Sequence, residues 1–531
     1  MTDDTASESG RDKLAFWLAG AALVAYVACL TGQRENAPFA DAWEHHRVIR
    51  ALTENLWDPG NPTFDSEIPS IRYSPYFIAQ ALICRTTGID AYRIQSVVAV
   101  LNTILLVLAI RGFLRSFKEG RAAATALIVM VCLYGAAPGW AGSYALSDLP
   151  WHQVNPSAFS LPLVIFAWTL FRRFNTRGWR DYSWPLIALL LTEAMLDHAM
   201  TGAFGFVFLF VLAAFSVTEN RVRLFAAAIG VSLFAALCCL CWPWYPFIEA
   251  VRSSPDRDYW FDRETLWNSL FVWPAPAAFC ALCAIPRRKR EIVRVCLIAA
   301  AACFAMGAIS FPIRSPLLAR MPVPGLLFLH LPVALYIRES GILRLAEWPA
   351  RIQSLWGAAA SETKPIVEIA VAAAMVYFAA PQCIEIIRAP YLARGFVAPL
   401  THKEDKQTNL KQRFDALLAP VGSHDVVLSD RYTSWPIPSS KGRIVAALHY
   451  EFFIQNQPAR DRDVAAFFAD ASDADRKAIL ERYRVKWIVL DSSRLDTRGF
   501  ASLYDAHAKV SQEGNLFLMD AAKWAESRGL R

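Results

Sequence analysis

The stretch Ala40–Trp57, ADAWEHHRVIRALTENLW, decides how the chain reads. At about 100° per residue, His45, Ile49, Leu52 and Leu56 fall on one face, with Ala42 and Val48 at its edges. Trp43, Arg47, Arg50 and Glu54 fall on the other. This pattern predicts an amphipathic helix lying along a membrane surface. Asp41 and His45 then point toward the apolar side, with Glu44 on the flank. An acid and an imidazole there need a partner, because unpaired charge at an apolar boundary is expensive. Two readings of Asp41 stay open. Asp41-x-x-Glu44 has capping-box form, and a carboxylate held at a helix start also suits catalysis or ligand binding. His45 and His46 are either interfacial histidines or ligands.

Outward from this helix, Trp57-Asp-Pro-Gly-Asn-Pro is turn-rich, and Ile71-Arg-Tyr-Ser-Pro-Tyr-Phe carries Arg72 and Tyr73. Tyr76–Cys84 is apolar but too short to span, and reads as a second interfacial or re-entrant helix. The whole loop, 32–91, lies between apolar runs at 14–31 and 92–110. Each approaches the roughly 20 residues that a membrane span needs. Nine more runs follow, at 122–138, 157–171, 184–196, 199–217, 222–242, 269–285, 291–310, 323–337 and 365–381. The expected fold is a polytopic α-helical membrane protein of about eleven spans.

Composition agrees. Of 531 residues, 55% are hydrophobic and 19% charged, with a mean hydropathy of +0.28. Residues 383–531 hold 41 of the 101 charged side chains, and residues 1–382 hold the other 60. This split predicts a membrane domain at 1–382 and a soluble domain at 383–531. Disorder, collagen and a disulfide scaffold are excluded for the whole chain. Placing the N-terminus in the cytoplasm puts 21 Lys and Arg on inside segments, against about 10 in the outside loops. An odd span number then places the C-terminal domain outside the cytoplasm. The first span is read as an uncleaved anchor.

The C-terminal domain has 22 basic and 19 acidic residues and no basic stripe, so nucleic acid is not an expected partner. Strand-like runs at Val426–Leu428, Ile444–Leu448 and Trp487–Leu490, with helical runs at 408–418, 461–470 and 473–484, predict a small α/β domain. It shows no phosphate loop, metal cluster or nucleophile motif, and is expected to cover a site rather than supply chemistry. All eleven cysteines lie at or before Cys383. Cys280-x-x-Cys283 falls within an apolar run without a second ligand pair, and reads as packing.

Other polar positions fall on outside loops. His152 and Asn155 lie in Asp148-Leu-Pro-Trp-His-Gln-Val-Asn-Pro. Asp197 and His198 sit where two apolar runs meet, and Arg320 precedes the tenth. Each is either an interfacial residue or a donor-binding group. The aromatic loop 243–268 could stack on a sugar or belong to an interfacial belt.

The order of features resembles the GT-C superfamily of membrane glycosyltransferases, in the layout shared by protein O-mannosyltransferases and lipid A aminoarabinose transferases. The points of resemblance are ADAWEHH about ten positions after the first span, Tyr-Ser-Pro-Tyr opening a second surface helix, and TGIDAYRIQSVVAVLN at 87–102. Asp425–His449, DVVLSDRYTSWPIPSSKGRIVAALH, and Ile479–Asp491, ILERYRVKWIVLD, look like tails of bacterial members. The resemblance implies transfer of a sugar from a polyprenyl-phosphate carrier to a glycan, lipid or protein acceptor. The setting would be the outer face of a bacterial inner membrane, with inversion. It implies Asp41 as general base, with Glu44 as a second catalytic candidate. His45, His46, Arg72, Tyr73, His152, Asn155, Asp197, His198 and Arg320 would bind donor sugar or phosphate. One departure stands out. The first loop has no Asp-x-Asp pair, so a divalent metal is an open question and no other cofactor is expected. Two rivals remain: a lipid-linked-sugar flippase, which should show internal repeats, and a non-catalytic scaffold of the same fold.

Overall fold

The computed structural model describes residues 8–31, 41–135, 144–177, 183–217, 220–252, 263–287, 289–340, 370–374, 376–380, 383–384, 410–469 and 471–530. Of the positions used to orient the chain, Arg180, Arg288, Arg344, Arg351 and Lys364 lie outside the described residues. The chain divides into two compact units. One is drawn from 1–32, 96–241 and 256–401, the other from 33–95, 242–255 and 402–531.

The first unit is helical. Five helices are long and apolar enough to cross a membrane: α1 (Gly10–Thr31), Ala91–Ser116, Arg221–Leu240, Glu291–Ile313 and Leu317–Ser340. Gly120–Cys132, Ala199–Phe215 and Asn268–Leu282 are apolar but shorter. Pro156–Arg177 has 22 residues but carries Pro162 inside it and ends in basic residues, and Asn268–Leu282 opens with a wider π-helical turn at Asn268–Val272. The eleventh expected run is only partly described, as Ala370–Ala380.

The core of this unit centres on Trp168, which is fully buried. Its ring meets Phe208 at 4.5 Å and Phe204 at 5.3 Å, and its indole N–H donates to the Gly205 carbonyl at 2.9 Å. Such buried aromatic clusters combine large area with preferred edge-on geometry.

One end of this bundle is tied by ion pairs. Arg338 meets Asp12 at 2.7 Å, Arg290 meets Glu119 at 3.2 Å, and Arg287 meets Glu339 at 2.8 Å. Arg172 reaches Glu291 at 2.5 Å, and the Val217 N–H donates to the same carboxylate at 2.8 Å. Segments that the Lys and Arg count assigned to one side of a membrane thus gather at one end of the bundle.

The second unit joins the first loop to the chain's C-terminal region. Its sheet has the order β2-β1-β3-β5-β4, from Arg443–Ile444, Val426–Leu428, Val485–Asp491, Leu516–Asp520 and Lys509–Glu513. β1 runs parallel to β2 and β3, while β5 runs antiparallel to β3 and β4. The expected strands at 426–428 and 487–490 are present, and the one expected at 444–448 pairs only at its start. The β4–β5 hairpin was not anticipated, although Gly514-Asn515 between alternating residues is a two-residue turn signal, and Gly514 has φ +60°.

Helices Gln457–Phe468 and Asp473–Arg482 cover one face of the sheet with Trp524. Leu410–Leu417 covers the other, and Phe64 from the first loop is fully buried in that second core. Ile444 N–H donates to Thr63 O at 2.8 Å, so the loop continues the sheet's hydrogen bonding.

α2 (Ala42–Glu54) and α3 (Pro75–Thr87) are the two helices expected in the loop. α2 differs from expectation in one respect. Its polar side is covered as well as its apolar side: Glu44 and Arg47 are both 0% exposed. The cause is that Glu451 supplies a carboxylate to Arg47, and Gly442 O accepts from Arg50 at 3.4 Å.

Gly202, in the first unit, sits against the preceding helix. A Cβ there would stand 2.6 Å from Met195 Cα. Gly202→Val should therefore lower the thermal midpoint of the purified protein, because backbone cannot yield as a flexible side chain can. An unchanged midpoint would contradict this packing.

Candidate functional site

Glu44 lies one turn into α2 and is wholly buried. Its Oε2 accepts from Arg72, which precedes α3. Its Oε1 accepts from His449 Nδ1 at 2.7 Å and from Trp435 Nε1 at 3.3 Å, and Arg47 Nη2 stands 3.9 Å away. Arg47 is bonded in turn to Glu451. Glu451 also accepts from Thr63 Oγ at 3.2 Å and Ser70 Oγ at 3.4 Å. Two carboxylates and two guanidinium groups thus share one buried network, the arrangement that makes buried charge tolerable.

Electrostatics follow from this geometry. Burial alone would raise the Glu44 carboxyl, but Arg72, then Arg47 and the His449 bond, hold it well below the usual carboxylate range. Burial works against the Arg72 cation, yet Glu44, Glu451 and Asp41 raise it above its ordinary value. His449 is likewise disfavoured by burial and raised by Glu44 and Asp41.

Asp41 stands at the edge of this cluster, with its side chain 39% exposed and its Oδ1 3.8 Å from His449 Nδ1. It occupies the position before α2, but with a helical backbone (φ −60°, ψ −11°) and no side-chain cap bond. The capping reading of Asp41 therefore does not hold, because a capping residue needs extended backbone to turn its oxygen back onto the first amides. Asp41 faces His449 instead.

The structure thus brings together Asp41, Glu44 and Arg72 from the sequence-derived set. His45 packs on Phe77 with ring centroids 5.1 Å apart, and His46 on Tyr92 at 3.5 Å. Tyr73 donates to Gly60 O at 2.7 Å, and its own carbonyl accepts from Trp242 Nε1 at 2.9 Å. Trp244 Nε1 donates to Leu56 O at 2.9 Å, and Trp57 stacks on Trp244 at 5.6 Å. These aromatics of the 242–255 segment brace the first loop.

His152, Asn155, Asp197, His198 and Arg320 belong to the helical unit. His198 caps Ala199–Phe215, accepting from Thr201 N–H at 3.3 Å. Asn155 is buried just before Pro156–Arg177, His152 ends the short helix Leu149–His152, and Arg320 follows Pro316–Ala319. Asp197 ends Trp184–Asp197.

The sequence-derived set lacks Trp435, His449 and Glu451, and also Arg47, which read only as part of the polar face of α2. Trp435 and His449 lie inside Asp425–His449, the passage that resembles a family tail, and that was the available signal.

Asp41, Glu44 and His449 bring ligand atoms within 4.8 Å of one another. The set does not suit a divalent cation as it stands. Arg72 and Arg47 already neutralise Glu44, and His449 Nδ1 donates its proton there, so a dication would meet two guanidinium charges and a protonated ligand.

Glu44→Gln preserves shape but leaves Arg47 and Arg72 undercompensated, and should cost on the order of 3–5 kcal/mol of stability. The Glu44 contribution is fully present above the ordinary carboxylate value of 4.5 and is lost as pH falls through its lowered value. That of His449 is fully present below the ordinary 6.5 and is lost as pH rises through its raised value. Thermal midpoints of the full chain should therefore peak between these limits and fall on both sides. A flat profile would contradict the network.

No protein-family model matches the chain, and no curated protein matches it by sequence. Solved structures do match. ArnT from Cupriavidus metallidurans, in the apo state, superposes with a TM-score of 0.52 at 13% identity, over 96% of this chain and 98% of that one. The Archaeoglobus fulgidus oligosaccharyltransferase, in the apo form, gives 0.50 at 12% identity, over 89% of this chain and 70% of that one. These likenesses show the fold: the chain shares the overall fold of these two membrane-protein structures.

Proposed function

We propose that this protein transfers a sugar from a polyprenyl-phosphate carrier to a glycan, lipid or protein acceptor at the outer face of a bacterial-type inner membrane. The observation that carries the reading is the half-exposed Asp41 carboxylate at the rim of a buried cluster of paired acidic and basic side chains that also holds Arg72. The fold supports the same class of reaction.

In this reading Asp41 takes the proton of the acceptor hydroxyl. The acceptor oxygen bonds to the anomeric carbon as the bond to the carrier phosphate breaks, and polyprenyl phosphate leaves. One in-line displacement inverts the anomeric centre. The Arg72 guanidinium, 27% exposed, offers charge to the departing phosphate. Glu44 has no exposed surface, so its part is to hold Arg72 and His449 rather than to move a proton. His152, Asn155, Asp197, His198 and Arg320 are candidate donor-binding groups on the helical unit. The membrane domain carries the spans, and the 383–531 domain is extracytoplasmic.

The test is transfer of labelled sugar from a polyprenyl-phosphate donor by the purified protein. Asp41→Asn should lower the rate by about 100-fold or more while the thermal midpoint is unchanged. Full activity in that variant would remove Asp41 as the base. Chelating agents should leave the rate unchanged, and a metal-dependent rate would count against the guanidinium-neutralised cluster.

A further inference from the structure

His449 occupies a position that no motif pointed to. Its Nδ1 is 2.7 Å from Glu44 Oε1 and 3.8 Å from Asp41 Oδ1. The ring is fixed from a second direction by Trp435, which packs edge-on at 5.3 Å and 76° and donates to the same Glu44 oxygen. Exposure grades across the three groups, from Glu44 at 0% through His449 at 25% to Asp41 at 39%. The imidazole thus lies between a buried carboxylate and a half-exposed one. The charged groups around it are Glu44, Asp41 and Arg72, with Arg47 behind Glu44.

Physical chemistry gives this placement a consequence. Asp41 and Glu44 sit one helical turn apart, and two such carboxylates repel. A donor between them offsets that repulsion and fixes where the outer one stands. Glu44 is itself immobilised by Arg72 and Arg47 and cannot follow Asp41 outward. His449 therefore transmits the rigidity of the buried network to the exposed acid. The same design recurs wherever a carboxylate orients an imidazole that serves a third group.

We propose that His449 is a positioning residue for Asp41, so that the C-terminal region completes the active site instead of only covering it. This rests on the reading of Asp41 as the base. A second contact provides the comparison. Ser439 Oγ meets Tyr92 Oη at 3.0 Å, a buried tether between the C-terminal region and the start of Ala91–Ser116 that lies outside the cluster.

The experiment uses the full chain and measures kcat, donor KM and thermal midpoint for wild type, D41N, H449A, H449N and S439A. H449A should lower kcat by about 10–100-fold while donor KM stays within about twofold, the pattern of misplacement in the transition state. H449N keeps an N–H for Glu44 and should recover at least about tenfold of that loss. S439A should lower the midpoint and keep kcat per folded molecule. Equal kcat losses in H449A and S439A would overturn the proposal, as would a folded H449N without recovery. Inactive D41N with fully active H449A would remove the His449 role alone. Fully active D41N would remove the base reading and the His449 role with it.

Discussion

Glu44 is a carboxylate with no exposed surface, one turn into α2, and its ionisation is maintained by Arg72, Arg47, His449 and Trp435. A lone carboxylate there would be expelled or protonated. Each partner that prevents this brings its own segment. Arg72 fixes the approach to α3, Arg47 fixes α2 through Glu451, and His449 and Trp435 come from a stretch beside β2. The unit's two apolar cores supply most of the burial, but this network fixes the register between the loop helix and the sheet. It also explains why α2 is buried on its polar side.

The sequence carried the local features and not the distant ones. Helices at 42–54 and 75–87 follow from periodicity, Pro75 and the left-handed Gly88 at φ +72°. Asp41, Glu44 and Arg72 were legible because they cluster near a helix start. His449 and Glu451 meet α2 across separations of 405 and 404 residues, and no local pattern encodes such a contact. Arg47 and Arg50 read as a solvated face because their partners were invisible. His45 and His46 read as either interfacial residues or ligands, and their packing against Phe77 and Tyr92 leaves no trace in spacing. Asp41 kept a capping reading beside a catalytic one because capping-box spacing constrains residue type, while capping itself depends on backbone angles.

In the helical unit basic side chains from several segments meet acids. Arg172, Arg287, Arg290 and Arg338 pair with acids from other segments at a common end. Together these mostly part-buried pairs specify which helix ends lie side by side. Span number was less legible. The π-helical turn at Asn268–Val272 and Pro324, in the short helix Pro322–Gly325, fall inside runs that hydropathy alone reads as continuous.

The central claim is that α2 is a core element of the loop and C-terminal unit, held on both faces. Hydrogen exchange of the full chain in nanodiscs tests it directly. The amides of Ala42–Glu54 should exchange as slowly as those of β3, in one cooperative opening. Exchange of α2 at the rate of an exposed surface helix, with β3 still protected, would contradict the account.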